Sequence, residues 1–170
     1  MSEEYGPAPL TFGQMAVWRD IDALPRSRWQ EANWVFTVDV PAEAGVAQVR
    51  AALNRLAERH GSLRTTYDVS DPEHPTQTLR RIEELPLGFE VVALESAEAV
   101  QEVSDRLRDT PFDLRSERPY RAVLAERPGA RTLLIGKHHI AADGWSMDLL
   151  SEELTAMLHG QDDTLPPPSE

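Results

Sequence analysis

Apolar residues recur at three- and four-residue spacing in four segments of the chain, which is typical of amphipathic helices. A capping box formed by Thr11 and Gln14 is expected to start the first helix, and Ser96 and Ser146 are expected to cap two later ones. Gly160 has the position of a residue that ends the last helix. The pattern therefore predicts helices over about residues 12–23, 46–60, 96–110 and 146–160.

Between these helices, short runs rich in β-branched and aromatic residues predict six strands. The turn sequence RPGA separates the last two, which we expect to form a hairpin. Because strands and helices are interspersed, we expect a mixed α/β (α+β) fold, a two-layer sandwich of a mixed, largely antiparallel sheet with helices packed on it. The predicted strands cover about residues 33–40, 63–69, 76–82, 89–94, 120–126 and 132–137.

Length and composition narrow the kind of protein. The 170 residues fit one domain, which we place at residues 1–160, followed by a Pro-rich linker at 161–170. The absence of cysteine excludes disulfides and a thiol nucleophile. No apolar run is long enough for a bilayer and the acidic start is unlike a secretory signal, so we expect a cytoplasmic protein without membrane contact. A net charge of -12 argues against nucleic acid as a partner.

The segment GKHHIAADGWSM carries the candidate chemistry. Its two adjacent histidines follow the apolar run TLLIGK, which places them at a strand end where side chains can face a cleft. Adjacent residues leave a strand on opposite faces, so His138 and His139 are poorly placed to bind one ion, and we expect no metal site. Ser146 lacks the sharp G-x-S-x-G turn of a nucleophilic serine and is better interpreted as a helix cap.

Three motifs together resemble one family. His138, His139, Asp143 and Gly144 match the HHxxxDG signature, and Trp145-Ser146 matches its common extension. TFGQMAVW at 11–18 and RHGSLRTTY at 59–67 are similar to the first two motifs of condensation domains from nonribosomal peptide synthetases, apart from glycines at 13 and 61. The chain thus resembles the N-terminal lobe of a condensation domain, with the chloramphenicol-acetyltransferase-like fold, and 161–170 would be the inter-lobe linker.

The resemblance implies roles for individual residues. His139 would be the catalytic residue that orients an acceptor amine and relays its proton, and the backbone of Gly144 would stabilise the oxyanion. Asp143 could be a second acid or base, but the resemblance makes it a structural partner of Arg64 in an ion pair. The remaining roles are a structural one for His138 and substrate-channel positions for Trp145 and Ser146.

The implied reaction is attack of a carrier-bound aminoacyl amine on a carrier-bound acyl thioester. The expected partners are carrier proteins, whose 4′-phosphopantetheine arms hold both substrates, and the C-terminal lobe of the domain. No cofactor is expected on this chain itself, and the isolated lobe is expected to be inactive. Two other functions stay open, a non-catalytic docking module and a coenzyme A-dependent acyltransferase completed by oligomerisation. Epimerization domains share the His pair.

Overall fold

The computed structural model describes residues 6–167. Residues 1–5 and 168–170, with the outer ends of the predicted domain and linker, lie outside the described residues. Within these residues, four short 3-10 turns lie at Arg26–Ala32, Gly61–Arg64, Ile82–Glu84 and Asp162–Thr164. The strands and helices are β1 Ala8–Pro9, α1 Phe12–Asp22, β2 Asn33–Asp39, α2 Val46–Arg59, β3 Thr65–Asp68, β4 Thr76–Leu79, β5 Gly88–Ala93, α3 Ala97–Asp109, β6 Tyr120–Arg127, β7 Ala130–His138 and α4 Gly144–Leu158.

The larger sheet has four strands in the order β2-β7-β6-β5. β5 and β6 run parallel because α3 connects them as a crossover, whereas the other neighbours are antiparallel. The predicted β6–β7 hairpin is present, and Gly129 turns it with φ of 75°. β7 therefore lies inside the sheet, paired along its length with β2 and β6, and it ends at His138.

Three strands form a separate sheet, in the order β1-β4-β3. A single sheet was expected, and the mixed α/β class is confirmed with this difference. The additional strand β1 is only two residues long and pairs Ala8 with Gln77. So short a segment has no periodicity that a sequence pattern could reveal.

Helices cover both faces of the larger sheet, so it has three layers rather than the predicted two. Leu133 and Ile135 of β7 pack in one core with α2 and α4, while Leu134 faces α3 on the other side. A strand that is buried on both faces has no alternation of apolar and polar residues, which explains the apolar run in β7. Gly136 lets α3 approach closely, since a Cβ there would lie 3.1 Å from Leu107 Cβ.

Two of the three predicted helix starts are confirmed. The Thr11–Gln14 capping box starts α1, and the Ser96 hydroxyl accepts from the Ala99 N–H at 3.2 Å at the start of α3. The third prediction was wrong, because Asp143 is the N-cap of α4 and Ser146 lies inside its first turn. Aspartate and serine are both good caps, and the pattern alone placed the start three residues late.

The segment after α4 packs back onto α2 within the described residues. Asp162 forms an ion pair with Arg55, and the Arg59 guanidinium donates to the Pro166 carbonyl at 2.6 Å. The start of the predicted linker is therefore held against the body of the fold.

Candidate active site

The two histidines are fixed by backbone hydrogen bonds at the end of β7. The His138 N–H donates to the Pro119 carbonyl at 2.9 Å, and the His139 N–H donates to the Ala32 carbonyl at 2.8 Å. The chain then turns through residues 139–141 and enters α4 at Gly144. The sheet therefore sets the position of both imidazoles, and the turn brings the start of α4 beside them.

His138 is buried and neutral. Its Nδ1 accepts from the Ile140 N–H at 3.2 Å, and its ring meets the edge of Phe112 with centroids 6.2 Å apart. Burial, with smaller contributions from His139 and Lys137, lowers the pKa of His138 to about 3. A neutral ring that accepts at Nδ1 carries its hydrogen on Nε2. With this pKa the ring does not take up a proton near neutral pH, which fits a structural role.

His139 is half-buried, and its contacts indicate the opposite tautomer. Its ring stacks on Trp34, with centroids 4.6 Å apart and an interplanar angle of 25°. Its Nδ1 lies 3.3 Å from the Ala142 carbonyl oxygen. A carbonyl only accepts, so Nδ1 donates and the lone pair of the neutral ring is left on Nε2. His139 therefore has a nitrogen that can take a hydrogen bond or a proton from an amine.

Asp143 serves the helix that follows. Its Oδ1 accepts from the Ser146 N–H at 2.8 Å and from the Ser146 hydroxyl at 2.7 Å. These bonds lower the pKa of Asp143, so the carboxylate stays ionised at the N-terminus of α4. Ser146 is thereby engaged in the cap, and its hydroxyl donates to Asp143 instead of facing a substrate.

The predicted ion pair between Arg64 and Asp143 is absent from residues 6–167. Arg64 ends the 3-10 turn before β3, and its Nη1 donates to the Arg80 carbonyl at 2.6 Å. Asp143 is occupied by the first turn of α4. The expected pairing is therefore corrected: Arg64 secures the end of β4, and the helix cap takes the carboxylate.

Gly144 and Trp145 form the exposed start of α4. The Trp145 side chain is 87% exposed. A Cβ on Gly144 would lie 3.8 Å from its nearest neighbour, a ring carbon of Trp34, so packing does not demand glycine here. First-turn N–H groups have no intrahelical acceptor. Beside His139, the N–H groups of Gly144 and Trp145 are thus available to an oxygen that gains negative charge.

Two residues that carried no predicted role lie against His139. Lys137 is 1% exposed, and its Nζ donates to the same Ala142 carbonyl that His139 contacts. The Trp34 ring centroid lies 4.8 Å from Nζ. Burial, opposed by the charge of Asp143, lowers the pKa of Lys137 to about 8. The available sequence signal was a lysine at the end of the otherwise apolar run TLLIGK.

Residues 6–167 contain no group of three or more histidine, aspartate or glutamate side chains arranged to hold a metal ion. In the same part of the chain, no helix combines the length and the apolar composition needed to cross a bilayer.

The half-exposed imidazole of His139 follows the central strand β7 and precedes the exposed start of α4. The model of the family described as "Condensation domain" matches residues 8–169. The chain therefore belongs to the condensation-domain family, as its motifs predict.

Relatives in this family are large peptide synthetases. Cyclosporin synthetase simA of Tolypocladium inflatum is 34% identical over 156 residues, which cover 88% of this chain and 1% of the synthetase. Phosphinothricin tripeptide synthetase PhsC of Streptomyces viridochromogenes is 33% identical over 174 residues, covering 97% of this chain and 16% of that protein. The chain thus spans a small part of the length of the curated relatives it matches.

Solved structures share the fold. The starter condensation domain of rhizomide synthetase RzmA has a TM-score of 0.76 and 18% identity, and the match covers 97% of this chain and 40% of that one. The epimerization domain TycB3(E) of tyrocidine synthetase B has a TM-score of 0.78 and 21% identity, with coverage of 100% and 40%. These likenesses confirm the predicted fold and leave the choice between condensation and epimerization open.

Proposed function

We propose that this chain is the histidine-bearing lobe of an amide-forming condensation domain. The observation that carries this function is the 3.3 Å contact of His139 Nδ1 with the Ala142 carbonyl oxygen, which requires the hydrogen on Nδ1 and leaves the Nε2 lone pair to accept. Family membership and the similarity to peptide synthetases support the same reaction. The substrates would be an acyl thioester as donor and an aminoacyl thioester as acceptor, each tethered to a carrier protein by 4′-phosphopantetheine.

The reaction begins when the acceptor amine nitrogen attacks the donor carbonyl carbon. The α-amino group has a pKa of about 7.7–8.0, so part of it is already neutral near pH 7 and no strong base is needed. His139 Nε2 holds the amine in line and takes its proton as the C–N bond forms. This positioned proton transfer contributes roughly two to four orders of magnitude in rate.

The donor carbonyl oxygen becomes negative in the tetrahedral intermediate. The N–H groups of Gly144 and Trp145, at the positive end of α4, would stabilise it. Collapse breaks the C–S bond, and the leaving thiolate receives the proton from His139. The products are an amide on the acceptor carrier and a free phosphopantetheine thiol on the donor carrier.

A second lobe completes the site in this proposal. The chain covers 40% of the RzmA domain and 35% of the X-domain from teicoplanin biosynthesis, so both solved chains contain more than this unit. The start of α4 is open, with Trp145 largely exposed beside the site. One lobe can hold His139 but does not enclose both carrier arms or exclude water from the intermediate.

Reconstitution tests this function. Single-turnover amide formation is measured with two loaded carrier proteins, first with the 170-residue chain alone and then with a C-terminal condensation lobe supplied in trans. We expect no product above the uncatalysed background from the chain alone and product when both lobes are present. Equal amide formation by the single chain would contradict the two-lobe site, and binding of carriers without product in the two-lobe sample would favour a docking module.

A further inference from the structure

The lysine next to the His pair is unusual in this chain. Lys137 is its only lysine, because the other sixteen of the 17 basic residues are arginines. Its side chain is inside the protein and 1% exposed. An ammonium group loses hydration when it is buried, and an apolar side chain of similar length would fill this space without that loss. The contacts of the buried ammonium group must therefore compensate for its lost hydration.

The Ala142 carbonyl connects Lys137 to His139. Lys137 Nζ donates to this oxygen, and His139 Nδ1 lies 3.3 Å from it. A carbonyl oxygen has two lone pairs and accepts both donors. The ammonium thus fixes the acceptor that determines which nitrogen of His139 carries the hydrogen. A compact ammonium suits this confined place better than a planar guanidinium with five donors.

Trp34, on the neighbouring strand β2, contacts both Lys137 and His139. It lies directly opposite Lys137 in the β2–β7 ladder, so both side chains are on one face of the sheet. Its indole stacks on the His139 ring at 4.6 Å and lies 4.8 Å from Lys137 Nζ. The tryptophan therefore restricts the plane of the imidazole and partly compensates the buried charge through a cation–π contact.

We propose that Lys137 and Trp34 are positioning residues for His139, Lys137 by fixing the Ala142 carbonyl and Trp34 by fixing the ring plane. The two act together to keep the lone pair on Nε2, the nitrogen that would meet the acceptor amine. Their relevance to turnover rests on the proposed function of His139, whereas their effect on the ring itself does not.

The nitrogen NMR shifts of His139 test the positioning without any turnover. They are recorded on the full chain at a pH where the ring is neutral, and a His139→Gln variant assigns the signals. We expect the wild-type ring to be in the Nδ1–H form alone. Lys137→Met and Trp34→Ala should shift it to a mixture of both tautomers, while Trp34→Phe, which keeps an aromatic face, should retain the wild-type pattern.

Kinetics with a complementary lobe give a second readout. Misplacing a proton acceptor affects the chemical step, so Lys137→Met and Trp34→Ala should lower kcat by about tenfold with KM unchanged, and Trp34→Phe should restore most of the rate. Arg131→Met, which removes a cation near the far end of β7, should change neither parameter.

The two readouts separate the possible failures. Unchanged nitrogen shifts in Lys137→Met and Trp34→Ala would overturn the positioning role, whatever the rates. Shifts as expected, combined with full turnover by His139→Gln, would leave the positioning intact and overturn the proposed function instead. A folded Lys137→Met variant, judged by its unchanged amide spectrum away from the site, is required for either conclusion.

Discussion

At the scale of single residues, the neighbouring imidazoles of His138 and His139 differ in chemistry because they lie in different surroundings at the end of β7. His138 is enclosed beside Phe112 and keeps its hydrogen on Nε2. His139 rests against Trp34 and, by its contact with Ala142, keeps its lone pair on Nε2. The position along the motif thus decides which nitrogen of each ring has the lone pair.

A stability prediction follows from the burial of His138. Its folded pKa of about 3 lies below the ordinary value of 6.5, so the unfolded chain takes up a proton first as the pH falls. The contribution of His138 to stability is complete above pH 6.5 and is lost as the pH falls toward 3. The loss between pH 6.5 and pH 5 amounts to about 2 kcal/mol.

Urea unfolding at pH 7 and pH 5 checks this effect. The wild-type chain should lose stability over this interval, and His138→Gln should lose much less of it. His74→Gln is the control, because the His74 side chain is 84% exposed, and it should behave like the wild type. An equal loss in the wild type and in His138→Gln would contradict the account.

The Gly144→Ala substitution distinguishes two roles of this glycine, a requirement of the fold and a requirement for space beside the proposed oxyanion site. The added Cβ meets Trp34 at an ordinary distance of 3.8 Å, so folding should be unaffected or favoured by up to about 1 kcal/mol. The methyl group would nevertheless enter the space beside the proposed oxyanion site, and amide formation with both lobes present should fall about 100-fold.

Thermal unfolding and single-turnover rates measure the two effects of Gly144→Ala. Gly13→Ala is the matched control, since a Cβ there has no neighbour within 4 Å and the position lies in α1. It should leave the rate unchanged. Loss of stability without loss of rate in Gly144→Ala would show that the glycine serves the fold instead.

The motif itself made the placement of His139 and Gly144 predictable, after β7 and at the start of α4, since their spacing and their position after an apolar run are visible in the sequence. Lys137 and Trp34 were not predictable as a pair. They meet because the β2–β7 register sets residues about one hundred positions apart opposite each other. The Arg64–Asp143 pairing failed because local competition from the helix cap outweighed a distant charge.

At the scale of elements, a buried carboxylate joins α2 to α4. Glu153 is 3% exposed and receives two hydrogen bonds from Arg59, at 2.9 and 3.0 Å. His60 Nε2 lies 2.7 Å from the same carboxylate. Bonds from Arg59, and to a lesser degree His60, keep the pKa of Glu153 below its usual range. The helix that begins at the active-site turn is thus tied to its neighbour by a charge network.

Removing the charge of Glu153 should loosen this junction. Glu153→Gln keeps the shape but removes the carboxylate that is hydrogen-bonded to Arg59, and we expect a loss of about 2 to 3 kcal/mol, less than for a fully buried pair because Arg59 keeps some exposure. Urea unfolding at pH 7 measures it.

Glu90→Gln is the matched control for that experiment. Glu90 pairs with Arg106 at the surface, where both side chains are about half exposed, and the loss should stay below about 1 kcal/mol. Equal effects of the two substitutions would show that the α2–α4 network contributes nothing beyond a surface pair.

The helices and most strands follow directly from periodicity, and their observed bounds agree within a few residues with the predicted ones. The arrangement of the strands in the two sheets does not follow from periodicity. Parallel pairing of β5 with β6 and the separate β1-β4-β3 sheet depend on contacts between distant segments, which no local pattern specifies.

At the scale of the whole molecule, the site lies at an edge that the described fold leaves open. On the side that faces the body of the fold, β7, β2 and the turn into α4 fix the position of His139. On the other side, Trp145 is exposed and the first turn of α4 is uncovered. This arrangement agrees with the proposed function, in which this unit provides the reacting imidazole and a second lobe closes the cleft.

The His139→Ala substitution tests the central claim most directly. Single-turnover amide formation is compared for the wild-type and variant chains, each combined with the same C-terminal lobe and the same loaded carriers, with His159→Ala at the far end of α4 as control. The account predicts that His139→Ala lowers the rate at least about 100-fold while His159→Ala does not change it. A His139→Ala rate equal to that of the wild type would contradict it.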